Sequence, residues 1–243
     1  MATESFTPRE MMVVSAARLV RDRETVFVGM RLPMLAFNLA KSLWAPQAVA
    51  LYEAGIMREK QCGEYVHTMC DLPLQTQASW LTSLVEVMSC LQRGEVDAGI
   101  IGGAQIDVSG NVNSTLVKTL HGFRRLPGSG GACDIAVFTR KLIVMMPLES
   151  RRIVSKVDYI TSPAVGGKNR LKDIYLVTDK AVLSMDGSKF TAIALYPGVN
   201  KEEIIKHVGG LVAGLAEAPV QQPPSDTELK VLRELDREGF WTR

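Results

Sequence analysis

Short apolar runs at residues 25–29, 48–52, 98–101 and 142–146 are spaced along the chain with helix-patterned segments between them. This alternation constrains the fold more than any other feature: strand, crossover and strand in repetition favour a mostly parallel sheet. The intervening segments carry their own boundaries. Thr7-Pro8-Arg9-Glu10 has the form of a capping box with proline at the first helical position, and Met11, Val14, Ala17 and Leu19 follow on it, which predicts a surface helix packed on one face. Pro33 opens a second helical pattern through Leu35, Leu39 and Leu43 that stops at Pro46. A third runs over 79–91 and is closed by Gly94. Further on, 175–178, 181–184 and 189–195 read as shorter strands with a turn at Asp186-Gly187, and 201–207 reads as a helix. Beyond Gln221-Gln-Pro-Pro224, Ser225 and Glu228 form a second capping box for a helix reaching Leu235. The expectation is one α/β domain over residues 1–243: an open, mostly parallel sheet with flanking helices and a smaller strand-rich C-terminal part. A helical tail follows a Pro-rich linker at 219–243.

The chain has 243 residues, 47% of them apolar, enough to bury a substantial core. Its formal charge is +2 with both signs intermixed and no Lys/Arg block, so neither a nucleic acid nor a membrane surface is the expected partner. Cys62, Cys70, Cys90 and Cys133 contain no C-x-x-C pair and read as reduced thiols of an intracellular protein rather than as a disulfide framework or zinc site. No apolar run approaches the roughly 18 residues of a spanning helix, and the N-terminus lacks a basic-then-apolar signal pattern, so a cytoplasmic location is expected. His67, His121 and His207 stand apart, with no second ligand at metal spacing and no serine elbow, which argues against a metal site or a Ser-His triad.

Chemistry concentrates at the ends of the predicted strands. In open α/β sheets ligands sit outside the carboxyl ends of strands, so three loops there could share one crevice. Glu53 ends the second strand and is followed by the small Ala54 and Gly55, a setting that suits a carboxylate nucleophile and equally a plain strand cap. The stretch 102–115 begins with Gly102-Gly103 and contains Gln105, Asn111 and Asn113; it is either a site-lining loop or a set of tight turns. Gly128, Gly130 and Gly131 could offer backbone N–H groups to an anion, although Gly-x-Gly-Gly also occurs in ordinary loops. The dinucleotide fingerprint is not met, because Cys133 occupies its last position. Cys133 is itself a reactive thiol or a small hydrophobe, and Arg151-Arg152 after Glu149 is a phosphate site or an ion-paired face.

Taken together these segments resemble the β (B) subunit of the class I CoA-transferases, in particular that of the glutaconate CoA-transferases. The likeness rests on residues 101–107, 110–115 and 128–132, on Arg151-Arg152 with 156–159 and 161–163, and on 177–180, in the same order from about Phe6 to Glu238. The resemblance implies an enzyme in which the Glu53 carboxylate attacks an acyl-CoA, forming first an acyl-glutamyl anhydride and then a glutamyl-CoA thioester. An acceptor acid, dicarboxylic or 3-oxo, would reverse the steps. It implies coenzyme A thioester as substrate with no cofactor or metal, and a homologous α subunit in an α2β2 or larger heteromer. By the same resemblance Ala54, Gly55, Gly102, Gly103, Gln105, Asn111, Asn113, Gly128, Gly130 and Gly131 line the CoA and substrate site. Two departures stand out: Ala54 replaces the usual polar neighbour of the nucleophile, and Met30-Arg31 stands where relatives tend to have a small residue and Gly. Arg31 therefore either reaches a substrate carboxylate or lies on the surface. The rival expectations are a CoA-ester hydrolase, thioesterase or C–C-cleaving, on the same fold, and a non-catalytic partner subunit.

Overall fold

The computed structural model describes residues 5–64, 66–164, 173–186 and 189–243. In chain order the elements are α1 (Pro8–Ala17), β1 (Thr25–Val28), α2 (Leu32–Leu43), β2 (Val49–Tyr52), β3 (Ile56–Arg58), α3 (Leu72–Gln75), β4 (Trp80–Leu81), α4 (Leu84–Arg93), β5 (Ala98–Gly102), β6 (Gln105–Asp107) and β7 (Val112–Asn113). Then come β8 (Leu116–Thr119), β9 (Gly122–Arg125), α5 (Ala132–Phe138), β10 (Lys141–Met145), β11 (Ile153–Val154), β12 (Asp173–Val177), β13 (Ala181–Asp186), β14 (Lys189–Leu195), α6 (Lys201–Val208), β15 (Val212–Ala213) and α7 (Asp226–Leu235). The expected turn at Asp186-Gly187 lies partly outside the described residues.

One sheet organises the chain, in the order β15-β14-β13-β12-β10-β5-β1-β2-β3-β4. Its middle, β2-β1-β5-β10-β12, is parallel. The strand-rich C-terminal part is this sheet's own continuation, β13 and β14 being added antiparallel beyond β12. The apolar runs are dense because both faces of the sheet are covered. Val26, Val28, Ala50, Tyr52, Ile143 and Met145 face one core with α1, α2 and Leu232 of α7. The alternating Phe27, Leu51, Leu142 and Val144 face a second core with Val87 and Leu91 of α4, Ile135 of α5 and Ile204 of α6.

Both capping boxes form as expected, Thr7 with Glu10 and Ser225 with Glu228, and Gly94 closes α4 in the left-handed conformation. Two expectations are corrected. Helix α1 is not a surface helix: Glu10 through Ala17 are all buried, because α1 is enclosed by α2, α7, β10 and β12. Nor does the third helix begin at residue 79. Thr82 N donates to Gly55 O at 2.8 Å and Ser79 N to Met57 O at 2.9 Å, so the intervening Trp80–Leu81 is drawn onto β3 as an edge strand, and Ser83 caps the helix instead.

The tail is bound to the N-terminal helix. Arg18 holds Glu228 through Nε and Nη2 at 2.9 and 2.8 Å, while Arg233 Nε reaches Glu10 Oε1 at 2.8 Å. Burial alone would raise the Glu228 carboxyl, but hydrogen bonds from Arg18 and Ser225 outweigh it and hold the group below its ordinary range. A depressed carboxylate adds stability that is present above its unfolded value and is lost as pH falls through the folded value. Acidification below the ordinary glutamate range is therefore expected to lower the melting temperature of the wild-type protein. Glu228→Gln should show a smaller drop over the same interval, and parallel curves would rule the account out.

Candidate active site

The chain passes from β1 to β2 on one side and then returns to place β5 on the other side of β1. A crevice opens at such a reversal because the connections leave in opposite directions. The cavity found there, about 580 Å³, is lined at the strand ends by Gly29 and Met30 after β1, Glu53 after β2, and Ile101 and Gly102 of β5. The glycine cluster supplies Gly128, Ser129 and Gly130, so all three strand-end loops meet in one crevice. Glu53 is half-buried and, among the described residues lining it, is the one that carries a charge.

Local chemistry places that carboxylate. Tyr52 pairs with Ile56 across a three-residue loop, closed by Gly55 N donating to Tyr52 O at 3.0 Å. Gly55 has φ +84°, and a Cβ there would lie 2.1 Å from Thr82 O, so both dihedral and space demand glycine. Ala54 is exposed at the apex, and Tyr52, only 1% accessible, anchors the turn in the core. Gly131 N donates to Glu53 Oε1 at 3.1 Å. The backbone reaches the carboxylate this closely because residues 130 and 131 lack side chains: a Cβ on Gly130 would stand 3.2 Å from Oε1, and one on Gly131 3.3 Å from the carboxyl carbon.

The remaining candidate residues divide between the crevice and its support. Gly102 and Gly128 line it. Gly103 and Arg31 line a second cavity of about 450 Å³, which lies beside the first and shares Met30, Gly102, Ser114 and Pro127 with it. Gln105, Asn111 and Asn113 have their polar groups engaged within the protein. Asn113 is fully buried; its Nδ2 donates to Gln105 Oε1 and Leu116 O, and its Oδ1 accepts from Thr115 N. Gln105 is tied to Asp158 in both directions, and Asn111 to Asp107 and Ala164 N. The stretch 102–115 is thus a braced wall, with β6 between β7 and β11 in a small separate sheet. Ser114 fastens that wall to the glycine cluster: its Oγ donates to Gly128 O at 2.8 Å, and Gly128 N returns a bond to its carbonyl at 2.9 Å. The sequence pattern does not single out Met69 or Leu84, which also line the crevice, and nothing in their spacing marks them.

Burial pushes the Cys133 thiol up, and Asp134, whose Oδ2 is 3.4 Å away, pushes it further, so this cysteine is a poor thiolate. Arg151 and Arg152 both face Glu149, at 2.5 and 3.4 Å, as an ion-paired face would. Among the described residues no group of three or more His, Cys, Asp or Glu side chains could hold a metal ion, and no helix is long and apolar enough to cross a membrane.

Comparison with known proteins gives a consistent family signal. The family model for coenzyme A transferase matches residues 9–207. The chain is 30% identical to the B subunit of 3-oxoadipate CoA-transferase from Pseudomonas knackmussii, over 96% of this chain and 94% of that one. It is 32% identical to the B subunit of glutaconate CoA-transferase from Acidaminococcus fermentans, over 95% and 92% of the two chains. The crystal structure of glutaconate coenzyme A-transferase from Acidaminococcus fermentans superposes with a TM-score of 0.87 at 28% identity, covering 100% of this chain and 99% of that chain.

Proposed function

The chain belongs to the coenzyme A transferase family, and from that premise we propose that it is the β (B) subunit of a heteromeric enzyme that moves CoA between an acyl-CoA and a carboxylic acid, with Glu53 as nucleophile. The observation that carries this reading is the position of Glu53: the one charged group among the described residues lining a strand-end crevice, on a turn that leaves its carboxylate open to the cavity.

The chemistry balances on that group alone. Glu53 attacks the thioester carbonyl and expels the CoA thiolate, leaving an acyl-glutamyl anhydride. The thiolate then attacks the glutamyl carbonyl, releasing the donor acid and leaving a glutamyl-CoA thioester. An acceptor carboxylate attacks this thioester and expels the thiolate again. The thiolate takes the new acyl group, and Glu53 returns as a carboxylate. No redox equivalent or metal is called for, only exclusion of water and donors for each developing oxyanion. Gly131 N–H, already on Oε1, is one such donor. The others are assigned to a homologous α subunit, in an α2β2 or larger assembly; relatives that are themselves named as B subunits support the need for a partner subunit.

Incubating the assembled complex with an acyl-CoA and then with borohydride is expected to reduce the glutamyl thioester to an alcohol, read as a mass change on the peptide containing Tyr52-Glu53-Ala54. Exchange that proceeds without any modification at Glu53 would remove the mechanism. Acyl-CoA consumed to free acid with no dependence on an acceptor would replace the transferase with a hydrolase.

A further inference from the structure

Residues 236–243 follow α7 and are closely bonded. The buried Asp236 carboxylate accepts from Phe240 N, Trp241 N and Thr242 N at 2.9, 3.1 and 3.0 Å and from Thr242 Oγ1 at 2.8 Å. Thr7 Oγ1 in turn donates to Thr242 O at 2.7 Å. Two rings are thereby set in place edge to face, Phe240 and Trp241, with 4.5 Å between centroids and 85° between planes. Each has a further contact. The guanidinium carbon of Arg31 lies 5.3 Å from the centroid of the Trp241 ring, and His67 meets Phe240 edge to face at 5.5 Å. Arg31, Trp241, Phe240 and His67 thus form one continuous row.

That row joins two stretches that line the Glu53 crevice. Met30, beside Arg31, lines it after β1, and Met69 and Cys70, shortly after His67, line it from the stretch between β3 and α3. Neither stretch is fixed by regular structure. Arg31 has φ +70° and ψ −121°, a strained conformation that persists only where surrounding structure enforces it. Among the described residues, 59–71 carry no helix or strand. Residues 67–71 are bonded to one another instead: His67 N and Thr68 Oγ1 both donate to the Asp71 carboxylate at 2.6 Å, and Cys70 N donates to Thr68 Oγ1 at 3.2 Å. What holds the His67 ring therefore also holds Met69 and Cys70. Resting on the CoA-transferase reading of Glu53, we propose that Phe240 and Trp241 are positioning residues of the active site. They hold Met30 and Met69-Cys70 as a wall that keeps water from the glutamyl-CoA thioester, so that transfer outpaces hydrolysis.

Water that reaches this thioester places its hydroxyl on the Glu53 carbonyl carbon and its proton on the departing CoA thiolate. The carboxyl group is restored, and the acceptor acid gains nothing. A closed, largely apolar wall suppresses that step. Position favours such a role over a merely structural one. At 56% accessibility Phe240 buries little apolar surface for the core, whereas its contact with His67 bears on the crevice wall.

The test uses the assembled complex with the acyl-CoA and acid that it exchanges fastest among acetate, succinate, glutaconate, 3-oxoadipate and their CoA thioesters. Free CoA thiol measures hydrolysis, and new acyl-CoA measures transfer. Phe240→Ala is expected to raise the hydrolysis-to-transfer ratio by about 5-fold, and Trp241→Ala, which removes two contacts of the row, by about 10-fold. Trp241→Phe keeps a ring face for Arg31 and should stay within about 2-fold of wild type. Glu228→Gln loosens the same tail away from the crevice, so it should lower the melting temperature and leave the ratio unchanged. Phe240→Ala, at an exposed position, decides the matter if Trp241→Ala does not fold. A folded Phe240→Ala with the wild-type ratio overturns the assignment while leaving the transferase reading in place, as does a Glu228→Gln that raises the ratio equally. A wild-type complex that transfers CoA to none of these acids overturns the transferase reading, and the assignment with it.

Discussion

Glu53→Gln is expected to lower acyl-CoA:acid exchange by the assembled enzyme by about 10⁴-fold or more, the scale of loss when a covalent nucleophile is removed. Glutamine is the informative replacement because it keeps the shape of the site. Its carboxamide oxygen can accept the Gly131 N–H that Glu53 Oε1 now accepts at 3.1 Å. Gly130 and Gly131, tight against the carboxylate, then meet a group of the same size. The crevice survives, but an amide oxygen is too weak a nucleophile to form the anhydride. Glu53→Asp separates geometry from chemistry: it keeps a carboxylate and withdraws it by one methylene from both Gly131 and the cavity, for which a loss of roughly 10²-fold is expected. The measurement is exchange of labelled CoA at saturating acid, with the melting temperature as control for folding. A glutamine variant retaining a tenth of the activity would mean that another group does the chemistry.

The strand-end position of Glu53 was legible because much of what sets it is local. The strand 49–52, the small Ala54 and the obligatory Gly55 are consecutive, and the turn they specify brings the carboxylate to the strand end. The parallel sheet was legible for a related reason: strands covered on both faces write their burial as continuous apolar runs, and the helices between them announce their ends through Thr7, Ser225 and Gly94. What failed to show depends on partners far along the chain. The enclosure of α1 depends on α7, more than 200 residues away, so its periodicity understated its burial. The amides of 102–115 read as ligand-facing because composition records that they can hydrogen-bond, not with what. Gln105 is occupied by Asp158 and Asn113 is shared with Thr161, each about fifty residues on. The Gly131 bond to Glu53 likewise spans 78 positions, and the turn pattern around Glu53 contains no trace of it.

Gly55→Ala is expected to be the most damaging small substitution near the site, for stability and activity together. Two independent penalties meet at this residue. At φ +84° an L-residue is strained by about 1–2 kcal/mol. In addition, the new methyl carbon would have to stand 2.1 Å from the carbonyl oxygen of Thr82 and 2.9 Å from its carbon, which is backbone and cannot swing aside as a side chain could. Relief requires moving the segment that joins β4 to α4, where Thr82 N is bonded to Gly55 O at 2.8 Å and Ser83 caps the helix. A total of about 3 kcal/mol is expected, which for a chain of this length lowers the melting temperature by roughly 6–12 °C. Relaxation of the turn also carries Glu53 away from the Gly131 N–H, so the protein that remains folded should show a reduced kcat. Ala54→Ser provides the contrast: position 54 is exposed at the apex of the same turn, and its melting temperature should move by no more than about 1 °C. If Gly55→Ala melted with the wild type, the tight β2–β3 turn could not be what holds Glu53 at the mouth of the crevice.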